Sequence, residues 1–301
     1  MSVKNLGQLY LALAMLLVGS TVVASKIAAG TLPPFTATAL RFALALPCFA
    51  VLMRRAGARL PRPGARDAVL LLLQGLAGTA GYTALLMAGL RTTSAADAGV
   101  VLGTLPVVAA GVAVLVLRER PRPALLATIA LAAAGLFVLN RPQADGPAGS
   151  ATGNALVFGA VLCEALFILL DRRLRVRVPP LALSTLMCAI GLAAALPGAI
   201  AEAAWRAPVA PSALLAVAWY ALLPTVGGFL LWYAGTARVA GTEAALFTAL
   251  APVAALLLAA VCLDEPVGAR QLAGIGFVLA AVGTLALLPA GRSRAADAKA
   301  G

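Results

Sequence analysis

One acidic residue, Glu164, lies in the middle of an apolar run, VLCEALF. A charged side chain at the centre of a bilayer costs roughly 2.5 to 3.5 kcal/mol on insertion scales, so this residue is expected to face a cavity and not lipid. A carboxyl group in such a cavity could bind and release a proton, or bind a cationic group of a solute. The alternative is a structural role, in which Glu164 is the partner of a hydroxyl group or of Arg41.

A basic residue, Arg41, lies in a second apolar run, ALRFALA. Its guanidinium could bind a carboxylate or a phosphate of a substrate. Because Arg41 is only about a turn and a half from the start of that run, its side chain could instead extend to the membrane interface.

Polar and aromatic residues recur at helical spacing in further apolar runs. Gln74, Gly78 and Tyr82 fall on one helix face, and Tyr220 and Trp232 lie on a face of a later helix. Stacking on such rings suits an amphipathic or cationic ligand, whereas the alternative is plain helix packing and interfacial anchoring. The candidate substrate-binding residues are Glu164, Arg41, Tyr82, Gln74, Thr21, Tyr220 and Trp232.

The composition identifies a membrane protein. Of 301 residues, 62% are hydrophobic and 11% are charged, with a mean hydropathy of +0.99, whereas soluble domains carry about 25% charged residues. The net charge of +12 is spread over short gaps between apolar runs, which argues against a nucleic-acid partner.

The sequence has no histidine, no GxSxG, no Walker A loop and no CxxC pair, so we expect no enzyme activity, no cofactor and no metal.

Ten apolar runs are each about long enough to span a bilayer. They cover residues 6–29, 35–53, 68–90, 95–117, 123–139, 152–170, 181–201, 212–237, 242–263 and 268–288. With the N-terminus in the cytoplasm, 17 basic residues fall on the inside and five on the outside, as the positive-inside rule requires. We therefore expect a multi-pass protein of a cell membrane, the bacterial inner membrane, with both termini cytoplasmic.

The chain matches itself when it is shifted by 146 residues without a gap. Pro33 and Pro34 then fall on Pro179 and Pro180, and Glu119 falls on Glu265. The predicted fold is an all-α integral membrane protein with ten transmembrane helices, arranged as two five-helix repeats. Because five is odd, the repeats must be inverted. The expected boundaries are residues 1–140, a linker at 141–150, residues 151–290 and a cytoplasmic tail at 291–301.

Acidic residues at the expected helix ends have a structural interpretation. The stretch from Ser94 to Asp97 has the pattern of a helix-capping box. Glu119 and Glu265 close their apolar runs and are interpreted as structural.

Four segments resemble the EamA-type members of the drug/metabolite transporter superfamily. They are GSTVVASKIA (19–28), ALRFALA (39–45), the stretch from GYTALL to VLRE (81–119), and the stretch from AGTARV to CLDE (234–265). The resemblance covers the whole chain, and it implies export or exchange of small metabolites through a central cavity. Such proteins often carry Trp in the first helix of each half, where this chain has Val18 and, 146 residues later, Glu164.

These observations together predict a secondary active transporter that exports or exchanges amino-acid-like, zwitterionic or cationic solutes by alternating access. Glu164 would couple transport to protons, with facilitated exchange without protons as the alternative. The partners would be the solute, the lipid bilayer and, in the coupled case, protons. The alternative is a non-transporting membrane subunit or scaffold whose glycine-rich faces dock partner helices.

Overall fold

A computed structural model describes residues 3–117, 123–139, 150–171, 173–176, 178–239, 247–248 and 250–287. This part of the chain is helical and contains no β-strand. The helices are α1 (Val3–Ala29), α2 (Pro34–Arg55), α3 (Ala65–Gly75), α4 (Tyr82–Leu90), α5 (Ala95–Leu102), α6 (Leu105–Leu117), α7 (Pro123–Leu139), α8 (Ala151–Asp171), α9 (Pro180–Glu202), α10 (Pro211–Tyr220), α11 (Phe229–Thr236), α12 (Leu250–Leu263) and α13 (Ala269–Leu287). A π-helix joins α3 to α4, π1 (Leu76–Gly81), and another joins α10 to α11, π2 (Ala221–Gly228).

Local sequence explains where several helices begin. Proline is the first residue of α2, α9 and α10, a position where its missing N–H costs nothing and its fixed φ suits a helix. At the start of α5 the Ser94 hydroxyl accepts a hydrogen bond from the Asp97 backbone N–H at 2.9 Å, which confirms the predicted cap.

Among the described residues, six helical spans are long and apolar enough to cross a membrane, and α5 with α6 makes a seventh if this pair, bent by 43°, is counted as one. Large apolar side chains cover the outside of the bundle, among them Leu115, Leu215 and Val261, which are 76%, 70% and 78% exposed. A soluble protein would not expose so many such side chains. The chain is therefore a multi-pass membrane protein, whereas the count of ten helices stays a prediction.

The helix bounds agree with the expected spans to within about three residues where the structure describes them. Two interruptions divide the expected spans. The first is the pair of π-helices, of which π2 contains Pro224; a proline has no N–H and its ring crowds the preceding turn, so the i→i+4 ladder is disturbed.

The second interruption breaks the expected span 95–117 at Gly103 and Thr104, just before Pro106. The start of the ninth expected span (residues 242–246) and most of the expected linker (141–149) lie outside the described residues.

Helices of the N-terminal half of the chain pack against helices of the C-terminal half. Helix α1 packs on α10, π2, α11 and α12, while α8 packs on α3, π1, α4, α5 and α6. Helix α2 lies along α9, and α7 lies along α13. A buried apolar cluster fills the space where α4, α5, α8, α12 and α13 meet, with Leu86, Val100 and Val157 fully buried. Beside this cluster α1 and α8 border a central cavity.

Candidate functional site

A cavity of about 560 Å³ lies in the middle of the helical bundle, between α1 and α8. Its walls come from α1, α2, π1, α4, α8, α10, π2, α11 and α12, together with the break between α5 and α6. Six of the seven candidate residues line it: Glu164, Arg41, Tyr82, Thr21, Tyr220 and Trp232. Val18, the position that the 146-residue shift relates to Glu164, lines it as well.

Gln74, the seventh candidate, lies elsewhere. It is fully buried, and its Nε2 donates to the carbonyl of Phe167 at 3.4 Å and to Oδ1 of Asp171 at 3.3 Å. Gln74 therefore joins α3 to α8 and does not line the cavity. The prediction assumed one helical face from Gln74 to Tyr82, but π1 lies between them and changes the number of residues per turn.

Glu164 is presented to the cavity by α8. Val161 and Ile168, three residues before and four residues after it, line the same wall, as helical spacing requires. The Glu164 side chain is partly buried. Within the residues that the structure describes, its carboxylate has no hydrogen-bond partner and forms no ion pair, and Arg41 is a nearby opposite charge.

Arg41 extends from α2 into the cavity and is held on three sides. Its Nη1 donates to the Thr83 hydroxyl at 2.8 Å, and its Nε donates to the Thr225 hydroxyl at 3.1 Å. The Arg41 Cζ lies 3.7 Å from the centre of the buried Tyr220 ring, a close cation–π contact. The sequence left open whether Arg41 faces a cavity or extends to the membrane interface. In the structure its side chain lies in the cavity.

The cavity therefore combines a carboxylate and a guanidinium that are not paired with each other. A solute with an ammonium and a carboxylate group would complement both charges. In the described residues no group of three His, Cys, Asp or Glu side chains is arranged to hold a metal ion.

Sequence reasoning missed both hydroxyl partners of Arg41. One sequence feature singled out Thr225, because the 146-residue shift superposes Thr79 on it. No sequence feature singled out Thr83, because a threonine in an apolar helix more often forms a hydrogen bond with its own backbone.

Comparison with known proteins gives similarity along almost the whole chain. The model of the EamA-like transporter family matches residues 5–141 and, separately, residues 151–287. The uncharacterized transporter YetK of Bacillus subtilis (strain 168) is 32% identical over 277 residues, which are 90% of this chain and 84% of that protein.

A further relative comes from Streptantibioticus cattleyicolor. It is named a probable terminal-alkyne amino-acid exporter and is 30% identical over 240 residues, 78% of this chain and 79% of that protein. A known crystal structure of another protein superposes with a TM-score of 0.62 at 23% identity, covering 94% of this chain and 96% of that one. At this level of identity the structural similarity concerns the fold alone.

Proposed function

Because the chain belongs to the EamA-like transporter family, we propose that it carries amino-acid-like, zwitterionic or cationic solutes across the membrane by alternating access, with proton coupling through Glu164. The direction would be export or exchange, and the lipid bilayer of a bacterial inner membrane would surround the helices.

The observation that carries this proposal is the pair of charges in the cavity. Glu164 and Arg41 line one cavity of about 560 Å³ without forming an ion pair. Within the described residues neither group is neutralised by an ion pair, and a charge inside the membrane is costly, so each is best explained by a ligand of opposite charge. A zwitterion supplies an ammonium for Glu164 and a carboxylate for Arg41.

The name of one relative supports the same solute class. The Streptantibioticus cattleyicolor protein is named for amino-acid export, and an amino acid is a zwitterion. We propose that this chain carries a solute of that class.

Alternating access requires two halves that can move against each other, and we propose that residues 1–140 and 151–290 are these halves. The order of elements supports this. The two π-helices begin at residues 76 and 221, α2 and α9 begin at 34 and 180, and α7 and α13 begin at 123 and 269. The two family matches begin at residues 5 and 151 and end at 141 and 287, which is the same 146-residue offset at both ends.

Two glycine contacts further support the proposal of two equivalent halves. A Cβ added to Gly7 would lie 3.3 Å from the Gly235 carbonyl oxygen, and one added to Gly153 would lie 2.9 Å from the Gly89 carbonyl oxygen. The 146-residue shift carries one pair onto the other. Close α1–α11 and α8–α4 contacts are thus equivalent, and each joins one half to the other.

The proposed membrane arrangement has ten helices. The six long spans and the bent pair account for seven, and three shorter apolar helices lie at Leu126–Gly135, Leu250–Leu263 and Ala269–Ala281. With five crossings each, the halves would be inverted, and rocking about the cavity would expose it to one side and then the other.

Counterflow into proteoliposomes tests this function. Vesicles loaded with an amino acid mixture are offered one labelled amino acid, with the unlabelled amino acid, its methyl ester or its decarboxylated amine as competitor. We expect uptake above protein-free vesicles, and we expect the zwitterion to compete better than either analogue, because only the zwitterion meets both charges. No uptake of any amino acid or amine would contradict the proposal and favour the non-transporting subunit.

A further inference from the structure

The guanidinium of Arg41 is oriented before any solute arrives. Two of its three nitrogens donate to hydroxyl groups, Nε to Thr225 and Nη1 to Thr83, and the Tyr220 ring lies against its face at 3.7 Å. A guanidinium has five N–H groups in a fixed plane. Two hydrogen bonds and one stacked ring therefore fix both the direction and the tilt of that plane.

The Thr225 hydroxyl is itself oriented by π2. It donates its one hydrogen to the carbonyl of Tyr220, five residues earlier, at 2.8 Å. A hydroxyl that has donated its hydrogen can only accept from further partners, so its remaining lone pairs are available to Arg41 Nε. Tyr220 therefore contributes twice, since its carbonyl orients Thr225 and its ring supports Arg41.

The donors that remain on Arg41 suit a carboxylate. Within the described part of the chain, Nη2 donates no hydrogen bond, and no protein carboxylate pairs with Arg41. Of the five N–H groups, one on Nη1 and two on Nη2 remain free. A guanidinium can bind the two oxygens of a carboxylate through its two Nη atoms in a bidentate contact.

We propose that Thr225 and Thr83 are positioning residues that hold Arg41 for the carboxylate of the solute, an inference that rests on the proposed function. Thr83 belongs to the first family match and Thr225 to the second. The carboxylate site therefore needs both halves of the chain, and it exists only in conformations that keep π2 next to α2 and α4. Selectivity for acids over their esters is the property that these two hydroxyls control.

Substituting each threonine with valine and with serine separates the hydroxyl group from the shape of the side chain. A hydrogen bond to a charged group contributes enough that its loss weakens binding about tenfold. Thr225→Val is therefore expected to raise the KM for the amino acid about tenfold with little change in kcat, and Thr225→Ser is expected to restore the wild-type KM. Thr83→Val and Thr83→Ser should behave in the same way.

A matched control is Thr185→Val. The Thr185 hydroxyl also donates to a carbonyl of its own helix, that of Leu181 at 2.8 Å, but it does not line the cavity, so its KM should equal that of the wild type. The inhibition constant of the amino acid methyl ester should be unchanged in all variants, because the ester has no carboxylate to bind.

Two results would overturn the inference. One is an unchanged KM for the amino acid in both valine variants. The other is an equal loss for the amino acid and its ester, which is what a general disturbance of the cavity would produce. Failure of the proposed function is distinguishable, because then the wild-type protein itself would transport no amino acid.

Discussion

The side chain of Glu265 caps the helix that begins at Ala95. Its Oε1 accepts the backbone N–H of Ala95 at 2.9 Å, and its Oε2 accepts that of Ala96 at 2.9 Å. The first N–H groups of a helix have no partner within the helix, and they carry partial positive charge. The link between α12 and α13 thereby stabilises the start of α5, whose other end reaches the cavity at Leu102 and Gly103.

Replacing Glu265 with Gln should lower the thermal stability of the purified protein. An amide has one oxygen and no charge, so it cannot accept both N–H groups equally well, and a loss of about 1 kcal/mol is expected. Asp264→Asn is the control, since Asp264 is adjacent and exposed and loses the same charge. Thermal unfolding in detergent measures both variants, and equal midpoints would contradict the capping role.

The contact between Gly89 and Gly153 should tolerate no side chain. A Cβ added to Gly89 would lie 2.7 Å from the Gly153 carbonyl oxygen and 2.8 Å from Val157 Cγ2. Gly89→Ala should therefore destabilise the protein by about 1 to 3 kcal/mol, the usual cost of overpacking.

The control for this substitution is Gly276→Ala in α13, because a Cβ at Gly276 would meet nothing within 4 Å. Alanine is the better helix former, so this control should leave the unfolding temperature unchanged or raise it. If both variants unfold at the same temperature, α4 and α8 do not pack as closely as described.

Cysteine labelling tests the proposed inversion of the halves. Arg59 and Trp205 are exposed and stand 146 residues apart, so they would be equivalent positions of the two proposed repeats. After replacement of Cys48, Cys163, Cys188 and Cys262, we expect Arg59→Cys to react from the cytoplasmic side and Trp205→Cys to react from the opposite side. Labelling of both from one side would show parallel halves.

Much of the helix pattern could be predicted from sequence, because apolar runs and prolines act locally. The bounds of α7 match the expected run at residues 123–139. The π-helices could not be predicted in this way, since apolar spacing does not distinguish the short π-helix Leu76–Gly81 from α-helix. Because π1 was not predicted, Gln74 was placed on the same helix face as Tyr82 and assigned to the cavity.

The partners of the charged residues were harder to predict than the residues themselves. Glu164 and Arg41 stood out because charge is rare in apolar runs. Thr83, however, is 42 residues from Arg41, and Thr225 is 184 residues away. Such contacts depend on how distant helices pack, which periodicity within one helix does not report. The cap that Glu265 provides for α5 is a third contact of this kind.

Proton-driven transport by a Glu164→Gln variant is the most direct test of the central claim. Inside-out vesicles are given a pH gradient, and accumulation of the labelled amino acid is followed together with exchange at equal pH. Asp264→Asn, which removes an exposed carboxylate outside the cavity, is the control and should behave as the wild type. We expect Glu164→Gln to abolish accumulation driven by the pH gradient, since glutamine cannot bind and release a proton; gradient-driven accumulation at the wild-type level in this variant would contradict the claim.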